Sequence, residues 1–549
     1  MITSLWASRT SVKLGDRVFL FATATDDDRD RISFRWSVSP AACGTFTTPE
    51  LPWTTFLARA VGTCTLTVTA TADHLSSSKS VSIAVRPGAV APATPTLVQH
   101  LSSSAESTGR PPGNAFKFTL PNPVLAGNCL ILGITYQWSA TRTVAITDSN
   151  GNTWPTSAAA TANDGWNRIS SIYVLPNAKP GVTTVTVTFD AAVQPFQYTI
   201  SEFYNVAQTS PINGTASNDA ALAPALSSGT FTPGNNDANG GNLIWTYAYD
   251  NSAVFPINAA TNFAPASGFA LLDADIAWGL NDNQHHASEY FVQTAAAPIE
   301  AGFTAAMTPA NDTFNVVSVA LKAAAAGTAP PASGIRIVRC AHFTNEMSPA
   351  PSTWNLMFPS QGNLIVLATI DPTLIPISGV TDSKGNSYTL ENTNASAPQF
   401  WFAANATSDP GLSIALALSG PPAGTSLTAY DIVGAASSPF DVVTGIGQTL
   451  AGPGEVDDFP VITPTSANGL TIAALQLGQG PGLGLAAGAP AAAVFDFVSY
   501  TGEIDLDTMD NADGRAHLYN TDLSTEHWNW VIALETSVSA TAVHFHGAR

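Results

Sequence analysis

Hydrophobic and polar residues alternate with a period of two along much of the chain. The clearest runs are 63–70 (TCTLTVTA), 183–189 (TTVTVTF) and 316–321 (VVSVAL). Alternation of this kind is typical of strands that bury one face. Turn signals at 148–151 and 382–385 separate such runs, and no long stretch has helical spacing. The pattern therefore predicts an all-β chain of tandem antiparallel β-sandwiches.

Two segments rich in proline and alanine divide the chain. They cover 87–95 and 323–334, and a composition of this kind favours extended, semi-rigid spacers. We therefore expect an Ig-like β-sandwich at 1–88, a first β-sandwich repeat at 95–322 and a second at 335–549.

The two larger parts contain the same motifs in the same order. The run 127–132 (GNCLIL) recurs at 362–367 (GNLIVL), and the turn that begins at Asp148 recurs at Asp382. An aspartate at the start of a turn caps the backbone, and the following glycine suits a positive φ. A ligand or Ca²⁺ held by the polar side chains of these turns is the alternative. The preserved order predicts two copies of one jelly-roll-like sandwich.

Composition narrows the classes of partner. The 549 residues are 45% hydrophobic and only 11% charged, and the formal net charge is −20. Because Lys and Arg form no cluster, we expect no binding to nucleic acid. No apolar stretch runs unbroken for the roughly 20 residues of a membrane-spanning helix, so we expect no membrane insertion. Met1 is followed by a strand pattern rather than a secretory signal. Either a leader has been removed, or the protein leaves the cell by another route, such as inside a virion.

The first part resembles a bacterial Ig-like domain of the PKD or cadherin-like kind. The residues that carry the resemblance are 11–20 (SVKLGDRVFL), 24–30 (ATDDDRD), 32–36 (ISFRW), 43–46 (CGTF) and 62–68 (GTCTLTV). The resemblance implies a sandwich with Trp36 in its core and a disulfide between Cys43 and Cys64. Two unbonded, buried thiols are the alternative. Cys129 lies in an apolar strand and is expected to be an inert core thiol, and whether it pairs with Cys340 stays open.

Each of the two larger parts is similar to an uncharacterised β-sandwich domain found in tandem in bacterial extracellular and phage-associated proteins. The similarity rests on the GN-led strands at 127–132 and 362–367 and on the turns that begin at Asp148 and Asp382. Because no activity is established for that domain, the resemblance implies a fold rather than a chemistry.

Two acidic loops are candidates for a weak Ca²⁺ site, because hard oxygen ligands suit that ion. The candidate ligands are Asp26, Asp28 and Asp30 in the first loop and Asp505, Asp507 and Asp510 in the second. Solvated acidic turns are the alternative. We expect no other cofactor.

Few residues suggest catalysis. His544 and His546 alternate on the last predicted strand and so share a face that two metal ligands could use, but the sequence reveals no third ligand. Surface histidines are the alternative. Glu202 and Glu289 are candidate glycosidase carboxylates, but nothing in the sequence places them together, and Glu202 aligns with Tyr430 of the second repeat. We therefore assign no catalytic residue.

These observations favour a non-catalytic structural or adhesive protein that acts outside the cytoplasm. We expect a subunit of a surface or virion assembly, such as a fibre, filament, spike or decoration protein, located extracellularly, on a cell or on a virion. Its expected partners are copies of itself or other structural proteins. A protein with carbohydrate-binding modules for surface glycans is the alternative, and a polysaccharide-active enzyme is the third possibility.

Overall fold

The computed structural model contains two compact units, Met1–Ala91 and Pro92–Arg549, and each is described by itself. The residues that the structure describes are 1–13, 15–28, 30–73, 75–86, 94–103, 113–137, 142–165, 167–193, 196–221, 225–251, 264–276, 284–304, 313–324, 334–345, 353–370, 377–391, 398–418, 425–449, 456–478, 494–495, 503–507, 513–520, 526–531 and 537–548.

The N-terminal unit is a β-sandwich of two four-stranded sheets. Its elements are β1 (Ile2–Ala7), β2 (Ser11–Lys13), β3 (Arg17–Ala24), β4 (Ser33–Ser39), a 3-10 helix (Ala41–Cys43), β5 (Gly44–Phe46), β6 (Trp53–Ala58), β7 (Gly62–Ala72) and β8 (Leu75–Arg86). The sheets have the orders β1-β3-β6-β5 and β2-β8-β7-β4. Trp36 is buried between them, as the resemblance implies, and its Nε1 donates to the carbonyl oxygen of Leu51 at 2.8 Å.

A disulfide between Cys43 and Cys64 joins the two sheets of this sandwich. Cys43 ends the 3-10 helix that leads into β5, and Cys64 lies in β7. Their Cα atoms are 5.8 Å apart, a separation that a disulfide spans without moving the backbone. Cys129 and Cys340 are buried and are not disulfide-bonded. Burial raises the pKa of the Cys129 thiol, which therefore stays protonated and inert.

The second unit consists of four consecutive sets of eight strands. The first set is β9 (Thr96–Ser103), β10 (Gly113–Thr119), β11 (Cys129–Gln137), β12 (Val144–Asp148), β13 (Ala160–Asn163), β14 (Arg168–Leu175), β15 (Thr184–Val193) and β16 (Phe196–Tyr204). The second is β17 (Ile212–Ala221), β18 (Ala225–Phe231), β19 (Asn242–Asn251), β20 (Ala264–Pro265), β21 (Ala270–Ile276), β22 (Gln284–Gln293), β23 (Ile299–Thr304) and β24 (Thr313–Lys322), with a 3-10 helix (Asp237–Asn239).

The third and fourth sets complete the chain. The third is β25 (Arg336–Asn345), β26 (Thr353–Met357), β27 (Leu364–Ile370), β28 (Ile377–Asp382), β29 (Thr389–Leu390), β30 (Gln399–Ala404), β31 (Ser413–Leu418) and β32 (Thr425–Val433). The fourth is β33 (Ala435–Thr449), β34 (Val456–Ile462), β35 (Gly469–Gly478), β36 (Val494–Phe495), β37 (Glu503–Asp507), β38 (Asp513–Asn520), β39 (Glu526–Val531) and β40 (Ser537–Gly547). In the described part of the chain, no helix has the length and apolar character that would let it cross a membrane.

All four sets pair their strands in the same order. When the strands of a set are numbered from one to eight, strands 1-8-3-6-5 are neighbours in one sheet and strands 2-7-4 in another. The pairing of first with eighth and second with seventh is that of a jelly roll. The predicted all-β fold class is confirmed. One sandwich is predicted in each of 95–322 and 335–549 from the sequence, whereas the structure has two in each.

Contacts between sets make the sheets of the second unit continuous. β9 pairs in parallel with β25, so that His100 lies beside Arg339. β21 meets β26 at Ala274 and Met357. The results are a ten-stranded sheet, β13-β14-β11-β16-β9-β25-β32-β27-β30-β29, and an eight-stranded sheet, β17-β24-β19-β22-β21-β26-β31-β28.

The ten-stranded sheet is the middle layer of the second unit, because both of its faces are covered. Successive residues of β11 belong to different cores: Leu130 packs in a cluster with Phe118, and Ile131 packs in a cluster with Trp245. The sequences of these strands are therefore nearly continuous runs of apolar residues, without the alternation of apolar and polar residues that a half-buried strand shows.

The Asp-Ser-x-Gly turn has the same hydrogen bonds in both places. Asp148 Oδ2 accepts from Trp154 Nε1 at 2.8 Å, and Asp382 Oδ2 accepts from the Tyr388 hydroxyl at 2.9 Å. In each turn the Oδ1 atom accepts backbone N–H groups two and four residues later. Both carboxylates thus accept hydrogen bonds from groups of their own turn. This fits the interpretation that these aspartates shape the turn rather than bind a ligand.

We predict that denatured, unreduced protein exposes two alkylatable thiols, and that reduction raises the number to four. Replacing both bonded cysteines (Cys43→Ala with Cys64→Ala) should lower the free energy of unfolding of the N-terminal unit by roughly 3 kcal/mol, because the open loop restores entropy to the unfolded chain. Mass spectrometry after alkylation and urea unfolding measure the two effects. Four labelled thiols before reduction would contradict the pairing.

Candidate functional site

One irregularity recurs in all four sets of the second unit. Where the first strand of a set pairs with the eighth, each set skips one residue of the first strand, which forms a β-bulge; the fourth set has a second register shift, between Ala435 and Phe440. These extra residues are Val98, Asn213, Val338 and Asp441. Beside the bulges, the eighth strands present Glu202, Ala320, Asp431 and His544. At equivalent backbone positions, the four sets therefore have an acid in two cases, an alanine in one and a histidine in one.

In the first and third sets this position holds a buried carboxylate that closes a loop. Glu202 accepts the backbone N–H of Leu125 at 2.9 Å, and Asp431 accepts that of Gln361 at 2.9 Å. Burial raises the pKa of both carboxyl groups, although these hydrogen bonds favour the ionised forms. Glu202 therefore corresponds to Asp431. Its predicted alignment with Tyr430 is wrong by one residue, because motif matching carries no information about strand register.

In the fourth set the same position brings an aspartate and two histidines together. His544 Nδ1 lies 2.9 Å from Asp441 Oδ2, and His546 Nε2 lies 3.5 Å from Asp441 Oδ1. Within the described residues, this is the one group of three metal-ligating side chains whose ligand atoms all lie within 4.8 Å of one another. The two histidines were predicted to share a face. Asp441 was not found from the sequence, because it lies 103 residues away from His544 and faces it at a bulge.

The electrostatics of this group favour a carboxylate beside a neutral imidazole. Burial lowers the pKa of His544, and the attraction of Asp441 offsets this only in part. Burial alone would raise the pKa of Asp441, but hydrogen bonds from Thr465 and the neighbouring histidines outweigh it and lower that pKa. An ionised carboxylate and a neutral imidazole are the forms that bind metal ions.

A second polar cluster lies inside the second unit, where its first three sets meet. His100 Nδ1 contacts Ser201 Oγ at 2.9 Å, and His100 Nε2 contacts Asp273 Oδ1 at 2.9 Å. His286 Nε2 lies 3.1 Å from the other oxygen of Asp273. The order serine, histidine, aspartate is that of a catalytic triad, but the ring is reversed, because in that triad Nε2 faces the serine.

We interpret this second cluster as a structural feature, because its side chains are buried. Ser201, His100 and Asp273 are all buried, and Trp245 Nε1 donates to Ser201 Oγ at 3.1 Å. Burial lowers the pKa of His100, which therefore stays neutral. Burial would raise the pKa of Asp273, but the contacts with His100 and His286 outweigh it, so the carboxyl stays ionised.

An exposed row of aromatic side chains crosses one sheet of the N-terminal unit. Trp6 on β1 pairs with Phe21 on β3, which pairs with Trp53 on β6. Their exposed fractions are 56%, 42% and 49%, and Phe19 on the same face of β3 is 55% exposed. Because adjacent strands lie about 4.8 Å apart, the three paired rings span roughly 10 Å. The surface formed by Trp6, Phe19, Phe21 and Trp53 is called the aromatic row below.

The predicted Ca²⁺ ligands have different outcomes. Asp26 Oδ2 accepts the backbone N–H groups of Asp28 and Asp30 at 3.2 and 3.3 Å, so it shapes the turn. Asp30 lies next to Asp73, and their hydrogen bond and mutual repulsion raise the pKa of Asp30. A Ca²⁺ site in this loop stays a prediction. The side chains of Asp505 and Asp507 on β37, and Asp510 as a whole, lie outside the described residues.

Comparison with protein families identifies the N-terminal unit. Residues 3–85 match the PKD domain family. The predicted resemblance is thereby confirmed, and this part is called the PKD unit from here on. A PKD domain and a disulfide together fit an extracellular protein. No curated protein matches the chain.

Several solved structures share local similarity with the chain. One describes carbohydrate-binding modules of the β-sandwich superfamily with promiscuous specificity (12% identity, 58% of this chain, 91% of that chain, TM-score 0.14). Another is human protocadherin-24 EC1-2 (13% identity, 36% of this chain, 96% of that chain, TM-score 0.14). A third is the Bacteroides ovatus mixed-linkage glucan utilization locus protein SGBP-B in complex with a mixed-linkage heptasaccharide (11% identity, 78% of this chain, 99% of that chain, TM-score 0.12). At these TM-scores the similarities carry no argument about this chain.

We predict that Asp273→Ala destabilises the second unit by about 3 kcal/mol, because it leaves buried donors of the polar cluster without their acceptor. Asp219→Ala, at an exposed carboxylate of β17, is the control and should change the free energy of unfolding by less than about 0.5 kcal/mol. Urea unfolding followed by tryptophan fluorescence measures both. Equal effects of the two variants would show that the cluster contributes nothing.

Glu289 should make the second unit less stable as the pH rises. Burial raises its pKa to about 8, despite hydrogen bonds from the N–H groups of Ala266 and Gly302. The folded state therefore holds a proton that the unfolded state releases near pH 4.3. Relative to Glu289→Gln, wild-type protein should lose on the order of 3 kcal/mol between pH 5 and 8. Unfolding in urea across this range tests the sign, and a difference that is constant with pH would refute it.

Proposed function

We propose that this chain is a non-catalytic adhesive protein that acts outside the cytoplasm, and that its PKD unit binds carbohydrate through the aromatic row. The observation that carries the proposal is the row itself, in which Trp6, Phe21 and Trp53 lie side by side on neighbouring strands and remain exposed. Exposed large apolar side chains are ordinary when they are scattered, but a contiguous patch marks an interaction surface.

The chemistry of the row suits sugars. The faces of pyranose rings carry C–H groups that pack against flat aromatic rings, and indole is the largest such surface. A row about 10 Å long on a sheet can contact consecutive units of a chain. In the PKD unit, nine Lys and Arg residues nearly balance seven Asp and Glu residues, so ring stacking rather than net charge determines what this surface binds.

The buried polar groups support the absence of catalysis in this proposal. The serine–histidine–aspartate chain of Ser201, His100 and Asp273 is sealed in the core. Glu202 and Glu289, the candidate glycosidase carboxylates, are both buried; Glu202 accepts one backbone N–H group of its own sandwich, and Glu289 accepts two. Neither has the exposed cleft that glycoside hydrolysis requires.

We also propose that the second unit is the structural part of this protein in a surface or virion assembly. In that role the chain is a subunit that associates with copies of itself or with other structural proteins. What supports this is the continuity of its sheets. The ten-stranded and eight-stranded sheets run across the first three sets, and the fourth set joins them through a shared core that contains Leu470 and Phe545.

We predict that wild-type protein binds neutral polysaccharides on a glycan array, and that Trp6→Ala and Trp53→Ala each weaken binding about fivefold. A stacked aromatic ring contributes on the order of 1 kcal/mol, and about 1.4 kcal/mol corresponds to a factor of ten. Both side chains are half exposed, so the variants should fold.

Leu75→Ala is the matched control, because Leu75 is 71% exposed on β8 of the other sheet of the PKD unit. Its binding should equal that of the wild type. If no glycan binds, or if the tryptophan variants bind as the control does, the aromatic row does not serve carbohydrate binding.

A further inference from the structure

We propose that Asp441, His544 and His546 form a binding site for a divalent transition-metal ion, and that zinc is the ion that suits it best. Two imidazoles and one carboxylate are a donor set that zinc accepts when a fourth position is left to water. The site lies between the first and eighth strands of the fourth set, β33 and β40.

The distances suit a tetrahedral ion. Bonds of about 2.0–2.1 Å from zinc to nitrogen or oxygen, meeting at tetrahedral angles, place ligand atoms roughly 3.3 Å apart. The observed separations are 2.9 Å from Asp441 Oδ2 to His544 Nδ1 and 3.5 Å from Asp441 Oδ1 to His546 Nε2. All three ligand atoms lie within 4.8 Å of one another, so small side-chain movements bring them around one ion.

Polar contacts behind the ligands hold them in place. Thr465 donates its backbone N–H to Asp441 Oδ2 at 2.7 Å, and its hydroxyl donates to Oδ1. Ser466 Oγ contacts His546 Nδ1, which leaves the Nε2 atom to face Asp441. Contacts of this kind orient metal ligands and fix the histidine tautomer.

The backbone makes room for the buried histidine. Gly469 on β35 lies opposite His546, and a Cβ atom at this position would lie 2.1 Å from His544 Nε2. No other residue type fits there while the His544 ring keeps its position. The bulge supplies the carboxylate, because the extra residue Asp441 turns toward His544 instead of alternating away.

The fourth set keeps a loop closure and adds two imidazoles to it, because Asp441 itself accepts the backbone N–H of Thr465 at 2.7 Å. In the first and third sets, the residue at the His544 position is an acid that accepts a loop N–H. A histidine beside an aspartate is a different donor set. The site is buried on one side and open on the other. The side chains of His544 and Asp441 are 0% and 2% exposed, whereas the side chain of His546 is 24% exposed. Solvent therefore reaches the site beside His546.

A bound ion would link the two strands that begin and end the fourth set. Because an ion that binds only the folded state stabilises it by mass action, zinc should raise the melting temperature of this sandwich. The expected role is that of a structural metal site, which stabilises the fourth sandwich of the second unit.

The test is calorimetric titration of tag-free protein with Zn²⁺, together with thermal melts and the visible spectrum of the Co²⁺ form. Wild-type protein should bind one Zn²⁺ per chain, melt at a higher temperature with zinc, and give the intense visible bands of tetrahedral Co²⁺. His546→Ala should weaken zinc binding at least tenfold and remove the zinc-dependent rise in melting temperature. Because His546 is partly exposed, this variant should fold, and a melt without metal checks that it does.

Asp441→Asn should also weaken zinc binding at least tenfold, and Asp219→Asn is its matched control with the same change of charge. Ser466→Ala should weaken binding less than the loss of a ligand does, because it removes only an orienting contact. The proposal is overturned if wild-type protein binds no zinc, or if His546→Ala binds zinc as tightly as wild type.

Discussion

The parallel pairing of β9 with β25 is the constraint on which the second unit depends. Each is the first strand of its set, and without the other it would be a sheet edge with unpaired backbone groups. Their pairing joins two five-stranded sheets into one and moves the edges out to β13 and β29. It also buries the joined strands on both faces, where any polar side chain must find a partner.

The polar cluster at this junction follows from that burial. His100 comes from the first set, Asp273 from the second and Arg339 from the third, so the cluster ties three sandwiches together. Arg339 Nη1 donates to the carbonyl oxygen of Pro359 at 2.9 Å and lies 3.7 Å from Asp431. Two apolar strands can slip past each other by two residues at little cost. Paired polar groups penalise such a slip, because it would leave buried charges without partners.

The sequence predicted what depends on neighbouring residues and missed what depends on strand pairing. Alternation identified strands, and the turns that begin at Asp148 and Asp382 are closed by side chains within six residues of each aspartate. The shared face of His544 and His546 follows from alternation as well. Asp441 does not, because its orientation depends on a bulge that only the pairing of β33 with β40 reveals.

The duplication within each predicted repeat was missed for a related reason. The GN motif at 127–128 occurs again at 241–242, at the start of the third strand of the next set, but little of the surrounding sequence recurs with it. What the four sets share is backbone: the pairing order and the position of one bulge. Side chains at that bulge differ from set to set, since a jelly roll constrains which positions face the core more tightly than it constrains their chemistry.

Composition and site chemistry agree with each other. An excess of acidic over basic residues gives a negative potential, which concentrates cations and repels anions. A metal site of two imidazoles and one carboxylate gains from such a field, whereas a stacking surface for neutral sugars is indifferent to it. The same field discourages phosphate-rich and sulfate-rich partners. We expect a chain with so few charges to recognise partners by shape, ring stacking and ligand geometry, which are the means that we propose for the aromatic row and for the bulge of the fourth set.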